Sequence, residues 1–496
     1  MRSSKLQNRI LWAFFALYTC VTLYTVLVHE PGRDETAPWL VARDTTFGGL
    51  FAEMPYHLHT ALWYIIILPF AKVGLPYISN AILNWLAAVA VVYILFWRSP
   101  FPKLTSVLAA FSFYLFWQYS IDARGIYIIG ILILFIVAHF YSSRFSNPLR
   151  YAILLFLLIN TNVLMFPATF GLLSIWIVEA YKGNKISRTF IASIVIVSTG
   201  IILATWQVGL IFPPLDLPSV GITDNVGFQT LAVARALCGA FFAGINPVMY
   251  LLVPTLVALF LLLLPLYTRL NSFAFFIINT FGILYILGYK SVYTSERHFG
   301  ILLIGIMFAL WISHFENDTY LTPHIRKTLP SFSIRFKWAM YVLNVLCITS
   351  MSYGFALHYY DWKYKFSGCT EMANFIKDNK LNSHPIASHR WGHLNVIAAL
   401  LPGKQFWYAG IGKYSTYIHQ DAIHMDSSHL GVGHMMPYER ALQKIDEYFP
   451  PSEEILILLD AEINNAEGSK YKLIHKVDDN VFGSDERCYL YLRKPR

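Results

Sequence analysis

From Ile10 to Val28 the chain runs nineteen residues without a charge, close to the ~20 that a helix needs to cross a ~30 Å hydrocarbon layer. Further apolar runs at 80–97, 104–120, 126–141, 151–167, 166–181, 189–210, 248–268, 272–289, 299–315 and 338–357, uncharged except for Glu179, predict more spans. The overlapping pair forms a tight hairpin about Asn160, Thr161 and Asn162. Window hydropathy thus predicts about eleven transmembrane helices. A basic segment precedes the first run but no small-residue cleavage site follows, which predicts an uncleaved span rather than a removed signal. After 357 the pattern becomes mixed. Apolar positions at helical spacing predict helices over "CTEMANFIKDNKL", "VIAALL" and "ERALQKIDEYF", and continuous apolar runs predict strands at "PIASH", "QFWYAGI" and "EILILLD". The expected fold class is therefore an α-helical polytopic membrane protein over 1–357, with a first external loop at 29–79, followed by an extramembrane α/β domain over 358–496.

Composition agrees with this pattern. The 496 residues are 56% hydrophobic and only 14% charged, against about 25% charged in soluble domains. With the amino terminus cytoplasmic, fifteen Lys and Arg fall on the cytoplasmic side of 1–357 and seven on the other, as the positive-inside rule requires. The net charge of +9 then needs no nucleic-acid partner. The same orientation puts the first loop and the carboxy-terminal domain on the periplasmic or lumenal side.

Several polar clusters stand out. "HEPGRDETAPWLVARD", 29–44, crowds six charges against the end of the first span. Its continuation places Trp39, Leu40, Phe47, Leu50 and Phe51 as for a helix lying in the membrane interface. Asp34 and Glu35 would sit at membrane level, either as a solvated helix exit or as a site. His57 and His59 follow with Glu53 upstream, as interfacial hydrogen-bonders or as groups for proton transfer or metal ligation. Asp122 and Arg124 occupy a short outer loop, and Lys290, Glu296, Arg297 and His298 the outer end of a span. A guanidinium there either anchors the helix or binds a lipid phosphate bidentately. In the tail, His419, His424, His429 and His434 recur every five residues with Asp421 and Asp426 between, a spacing that does not stack on one helical face. Cys369 and Cys488 both lie in the outer domain, as two thiols or as a disulfide. The chain lacks GxGxxG after a strand, a P-loop and GxSxG, so nucleotide binding and serine hydrolase chemistry receive no motif support.

Taken in order, the first-loop motif with "HTALWYIIILPFAKVGLPY", "RSPFPK", "DARGIY", "NTN", "ERHFGILLIGIMFALW", "SGCTEMANFIKDN" and "HPIASH" resembles bacterial multi-span glycosyltransferases of the GT-C superfamily. These use polyprenyl-phosphate-linked sugars and are related to the dolichyl-phosphate-mannose type. The chain departs from that pattern at Gly32, where relatives usually carry Trp, and at Thr60, where they carry Pro after His. The resemblance implies transfer of a sugar from a polyprenyl-phosphate donor to a glycan, lipid or protein acceptor, with inversion, at the outer face of a bacterial inner membrane. It implies Asp34 as general base and Glu35 as its orienter or alternate. It further implies Arg297 with His298 as the donor-phosphate clamp, and Arg124 as a second phosphate contact. Some superfamily members use a divalent cation, for which His57 and His59 are the candidate ligands. The competing readings are a transporter or flippase, and a non-catalytic scaffold that binds envelope glycans.

Overall fold

The computed structural model describes residues 2–57, 59–211, 226–245, 248–290, 295–319, 330–388, 391–417, 437–463, 470–479, 481 and 487–495. Among these, eight helices are long and apolar enough to cross a membrane: Lys5–Val28, Ile78–Trp97, Gly125–Ser143, Val163–Lys182, Arg188–Gln207, Leu270–Gly288, Glu296–Phe315 and Phe332–Lys363. The architecture is that of a polytopic helical membrane protein. Its outward helix faces carry large exposed apolar side chains such as Val253, Phe260, Phe281, Tyr285, Val345 and Ile348, which water would penalise and lipid accepts.

Three expected spans differ. The run at 104–120 is broken into Lys103–Ala110 and a π-helical turn at Tyr114–Gln118. The helix expected over 151–167 stops at Ile159, where the Asn160 side-chain amide turns back onto the Phe156 carbonyl at 2.8 Å. The 248–268 segment holds the shorter helix Leu252–Leu263. A further short apolar helix, Leu62–Lys72, lies within the expected first loop. Uniform hydrophobicity reports burial but not continuity. The first break holds Ser112, whose hydroxyl donates to the Ala109 carbonyl at 2.7 Å, the second holds Asn160, and the third precedes Pro265; hydropathy registers none of these.

The helix Glu296–Ile312 runs through the middle, with every residue from Phe299 to Ile312 buried. It packs against Val226–Phe241, Leu270–Tyr285 and Gly125–Phe140. A helix apolar on all sides belongs in such a position, and it carries Arg297 at its first turn into the interior.

The expected boundary at 357/358 falls inside the helix Phe332–Lys363. Beyond it, six strands form one sheet: β1 (Ile386–Ser388), β2 (Phe406–Tyr408), β3 (Lys413–Ser415), β4 (Ile455–Leu459), β5 (Tyr471–Val477) and β6 (Cys488–Arg493), in the order β3-β2-β1-β4-β6-β5. β1 pairs in parallel with β2 and β4, and the other pairs are antiparallel. The β1–β2 connection contains the helix Trp391–Leu400, the crossover that parallel neighbours require. All five residues of β4 are buried, because it is covered on both faces. Ile455, Ile457 and Leu459 meet Ala441, Leu442 and Ile445 of the helix Tyr438–Tyr448 on one face. Leu456 and Leu458 join Met372, Ile376, Leu394 and Ile397 on the other. That second core is continuous with the interior of the helical bundle, so the sheet is welded to the membrane-type helices. The expected helices and strands all occur. β3, β5 and β6 are additional, and β5 alternates poorly because a register shift interrupts it at Leu473 and His475.

Candidate active site

The opening charged stretch forms the helix Arg33–Asp44. Gly32 N–H donates to Glu35 Oε1 at 2.8 Å, satisfying one of the donors that a helix start leaves open. Trp39 and Leu40, expected at the membrane interface, are 1% and 0% exposed. Trp39 packs edge-on to Tyr77, so tertiary burial displaces the interfacial reading for this helix.

Glu35 is buried and engaged by both oxygens. Oε1 meets Gly32 N–H and, at 3.2 Å, His29 Nε2, while Oε2 accepts from Ala123 N–H at 2.8 Å. His29 Nδ1 reaches Asp361 Oδ1 at 2.8 Å, and Trp117 Nε1 donates to Asp361 Oδ2 at 2.6 Å. Burial disfavours a charged His29, but Asp361 and Glu35 outweigh it and hold its pKa well above the usual value. Glu35 therefore ties the acidic loop to the 122–124 turn. Both of its carboxylate oxygens are thus committed to partners within the fold.

Asp34, the neighbouring position, points the other way. Its Oδ2 lies 3.0 Å from Arg297 Nη2 and 3.5 Å from Arg124 Nη1, partners 263 and 90 residues further along the chain. Burial favours the neutral acid, but Arg124, Arg297 and Arg33 outweigh it and hold Asp34 well below the usual carboxylate range. Asp122 completes the cluster, 4.0 Å from Arg297 Nη1 and accepting from Gln118 Nε2 at 2.7 Å. Burial and the Glu35 charge, partly offset by the arginines, push its pKa up to about 6.

Two asparagines four residues apart in the span Ile78–Trp97 hold the 119–124 turn: Asn80 donates to the Ala123 carbonyl and Asn84 to the Tyr119 carbonyl, both at 3.1 Å. Tyr119 in turn donates to the Arg297 carbonyl at 2.6 Å, which ties this turn to the start of the Glu296–Ile312 helix. Behind Arg124, a Cβ added at Gly125 would overlap the Trp63 indole. Only glycine lets the turn approach that ring.

Cavities lie on both sides of the Asp34–Arg297 pair. One of about 130 Å³ is lined by Asp34, Tyr56, His57, His59, Tyr64 and Arg124. The other, about 500 Å³, is lined by Gln118, Arg235, Gly239, Phe242, Glu296 and Arg297 among others. Burial, reinforced by Arg124 and His57, keeps His59 neutral and its pKa well below the usual value. Its buried Nδ1 has no hydrogen-bond partner among the described residues. His298 lines neither cavity: Nε2 meets Tyr127 Oη at 3.0 Å and Nδ1 faces Ser295. It caps its helix at Ser295 and braces it against Tyr127.

Among the described residues no group of three or more His, Cys, Asp or Glu side chains is placed to hold a metal ion. The histidine-rich 419–434 segment, together with 291–294, lies outside the described residues.

Sequence reasoning singled out Asp34, Glu35, Arg124, Arg297, His57 and His59, and the structure brings them within one region. It missed His29 as a bridge, Asp361, Tyr119, Arg235 and the two asparagines. A signal for the last existed: polar residues at i and i+4 in an otherwise apolar span mark one inward face. No protein-family profile and no curated protein matches this chain, so the site stands on its geometry.

Proposed function

We propose that the protein is a membrane glycosyltransferase of the GT-C kind, moving a sugar from a polyprenyl-phosphate donor to a glycan, lipid or protein acceptor, with inversion. The observation that carries this reading is the convergence of Asp34 with Arg297 and Arg124 between two cavities. In the reaction, Asp34 accepts the acceptor's hydroxyl proton and the oxygen bonds to the anomeric carbon. The carbon–phosphate-oxygen bond breaks, and its electron pair leaves with polyprenyl phosphate. Arg297 meets that charge, an electrostatic contribution realised most fully as the bond breaks. In this reading the donor sugar occupies the larger cavity, where Arg235 adds a second cation, its phosphate reaches the Arg297–Asp34–Arg124 junction between the cavities, and the acceptor enters the smaller, where neutral His59 and the tyrosines offer hydrogen bonds to hydroxyls.

A carboxylate clamped by two guanidiniums is a weak base. The anionic donor solves this, because its phosphate competes for Arg297 and Arg124 and thereby frees Asp34 and raises its proton affinity toward the ordinary carboxylate value. Base activation would then wait for the donor. Asp122 lines neither cavity, which favours Asp34 as the base despite Asp122's higher proton affinity.

The accompanying placement is the bacterial inner membrane with the amino terminus cytoplasmic and the 358–496 region periplasmic. Eleven crossings require shorter apolar helices such as Pro148–Ile159 and Leu252–Leu263 to extend across the layer through their flanking turns. The test is mass spectrometry of envelope glycans with the wild-type gene, without it, and with Asp34→Asn. A difference of one sugar that disappears in both deficient strains supports the assignment. Full transfer by Asp34→Asn at normal membrane levels refutes it.

A further inference from the structure

We propose that Cys369 and Cys488 form a disulfide that fastens the acidic first loop to the carboxy-terminal sheet. It rests on the outward placement of that region and not on the transfer chemistry.

The two sulfurs lie 3.2 Å apart although 119 residues separate them, and both residues are 0% exposed. Cys369 opens the helix Cys369–Asp378 and Cys488 opens β6, paired with Val477 of β5. Both point into the same core. A metal would need more ligands than two sulfurs, and among the described residues no third His, Cys, Asp or Glu joins them. The structure shows the two as thiols in contact, and on an oxidising side of a membrane such a pair is the natural substrate for disulfide formation.

The consequence lies three residues upstream. Phe366 packs on the His29 ring with centroids 5.0 Å apart and stands against Gly32, where a Cβ would come within 3.0 Å of it. Ser367 N–H donates to Glu30 Oε2 at 3.2 Å, and Cys369 N–H to Ser367 Oγ at 3.1 Å. Residues 366–369 therefore form the strut between the first loop and the sheet, and the cystine pins its far end. That also gives Gly32 a reason: a larger side chain there would collide with the strut.

The bond forms by thiol–disulfide exchange while the region folds, before the sulfurs are buried. One cysteine thiolate attacks a protein or small-molecule disulfide, making a mixed disulfide and releasing one thiol. The second cysteine then attacks its partner's sulfur and releases the other thiol. Two electrons and two protons pass to the oxidant.

To test this, membranes from the native host are quenched with N-ethylmaleimide, denatured and digested without reductant. Peptide mass spectrometry should find the Cys369 and Cys488 peptides joined and lighter by two hydrogens than their sum, separating on reduction. Maleimide on both cysteines without reductant overturns the proposal. Reductant should also lower the wild-type unfolding temperature by roughly 5–10 °C and leave a Cys369→Ser, Cys488→Ser variant unchanged. If that variant does not fold, the peptide map of the native chain still decides. Reduced cysteines in a protein active in sugar transfer would sink only the cystine. A cystine in a protein without transfer activity would sink only the transferase.

Discussion

The coupling between Asp34 and Arg297 can be measured without knowing the sugar. Two unit charges about 4 Å apart interact by about 4 kcal/mol at the effective dielectric that suits protein sites. Side chains 30% and 24% exposed lose much of this to solvent, and Arg124 keeps part of the interaction when Arg297 is gone. A double-mutant cycle on Asp34→Asn and Arg297→Gln, read by reversible unfolding titrations in micelles, should therefore return roughly 1–2 kcal/mol at pH 7. The sign of the pH dependence follows from the depressed Asp34 value. The contribution is complete above the unfolded carboxylate value of about 4 and fades only as the pH falls below it. Adding a polyprenyl phosphate should shrink the coupling, because the lipid phosphate draws Arg297 away. A coupling under about 0.3 kcal/mol at pH 7, or one that polyprenyl phosphate leaves unchanged, would refute the donor-activated base.

Three more outcomes can be checked independently. Burial pushes the Glu30 pKa from 4.5 up to about 7, against the opposing Ser367 N–H bond and Lys365; a raised acid stabilises most below pH 4.5 and loses that contribution as pH climbs to 7. Glu30→Gln should thus flatten thermal stability over that window, removing about 1–2 kcal/mol of slope after allowing for partial exposure, and an unchanged melting profile would exclude this titration. Glu35→Ala should cost roughly 3–5 kcal/mol of stability by stranding buried His29 and Ala123 N–H, whereas Asp34→Asn should lose transfer with a smaller stability change; equal stability losses would erase the orienter–base distinction. Gly125→Ala should cost about 1–3 kcal/mol by overpacking Trp63 and lower donor affinity through displaced Arg124, measurable as a raised KM.

Legibility followed the range of the interactions. Charges that interrupt apolar runs are visible in one dimension, so the clusters that hold Asp34, Arg124 and Arg297 were legible, while the choice of these three within them came from the family resemblance. The division of labour between adjacent Asp34 and Glu35 was not. It depends on helix Arg33–Asp44 turning one carboxylate toward Ala123 N–H and the other toward two guanidiniums. Arg297 was readable as a cation, but His298 beside it was not readable as a brace, since Tyr127 reaches it from another helix.

Sequence alone determined the helical membrane character, most helix positions and the central strands, because hydrophobic period and turn chemistry act over a few residues. Only the tertiary structure decided where the run at 104–120 breaks, why Gly32 and Gly125 lack side chains, and which carboxylate meets the arginines. Those outcomes depend on contacts between residues tens to hundreds apart, such as Phe366 over Gly32 and Trp63 against Gly125. No local pattern encodes such contacts, because their energy exists only once the helices have packed.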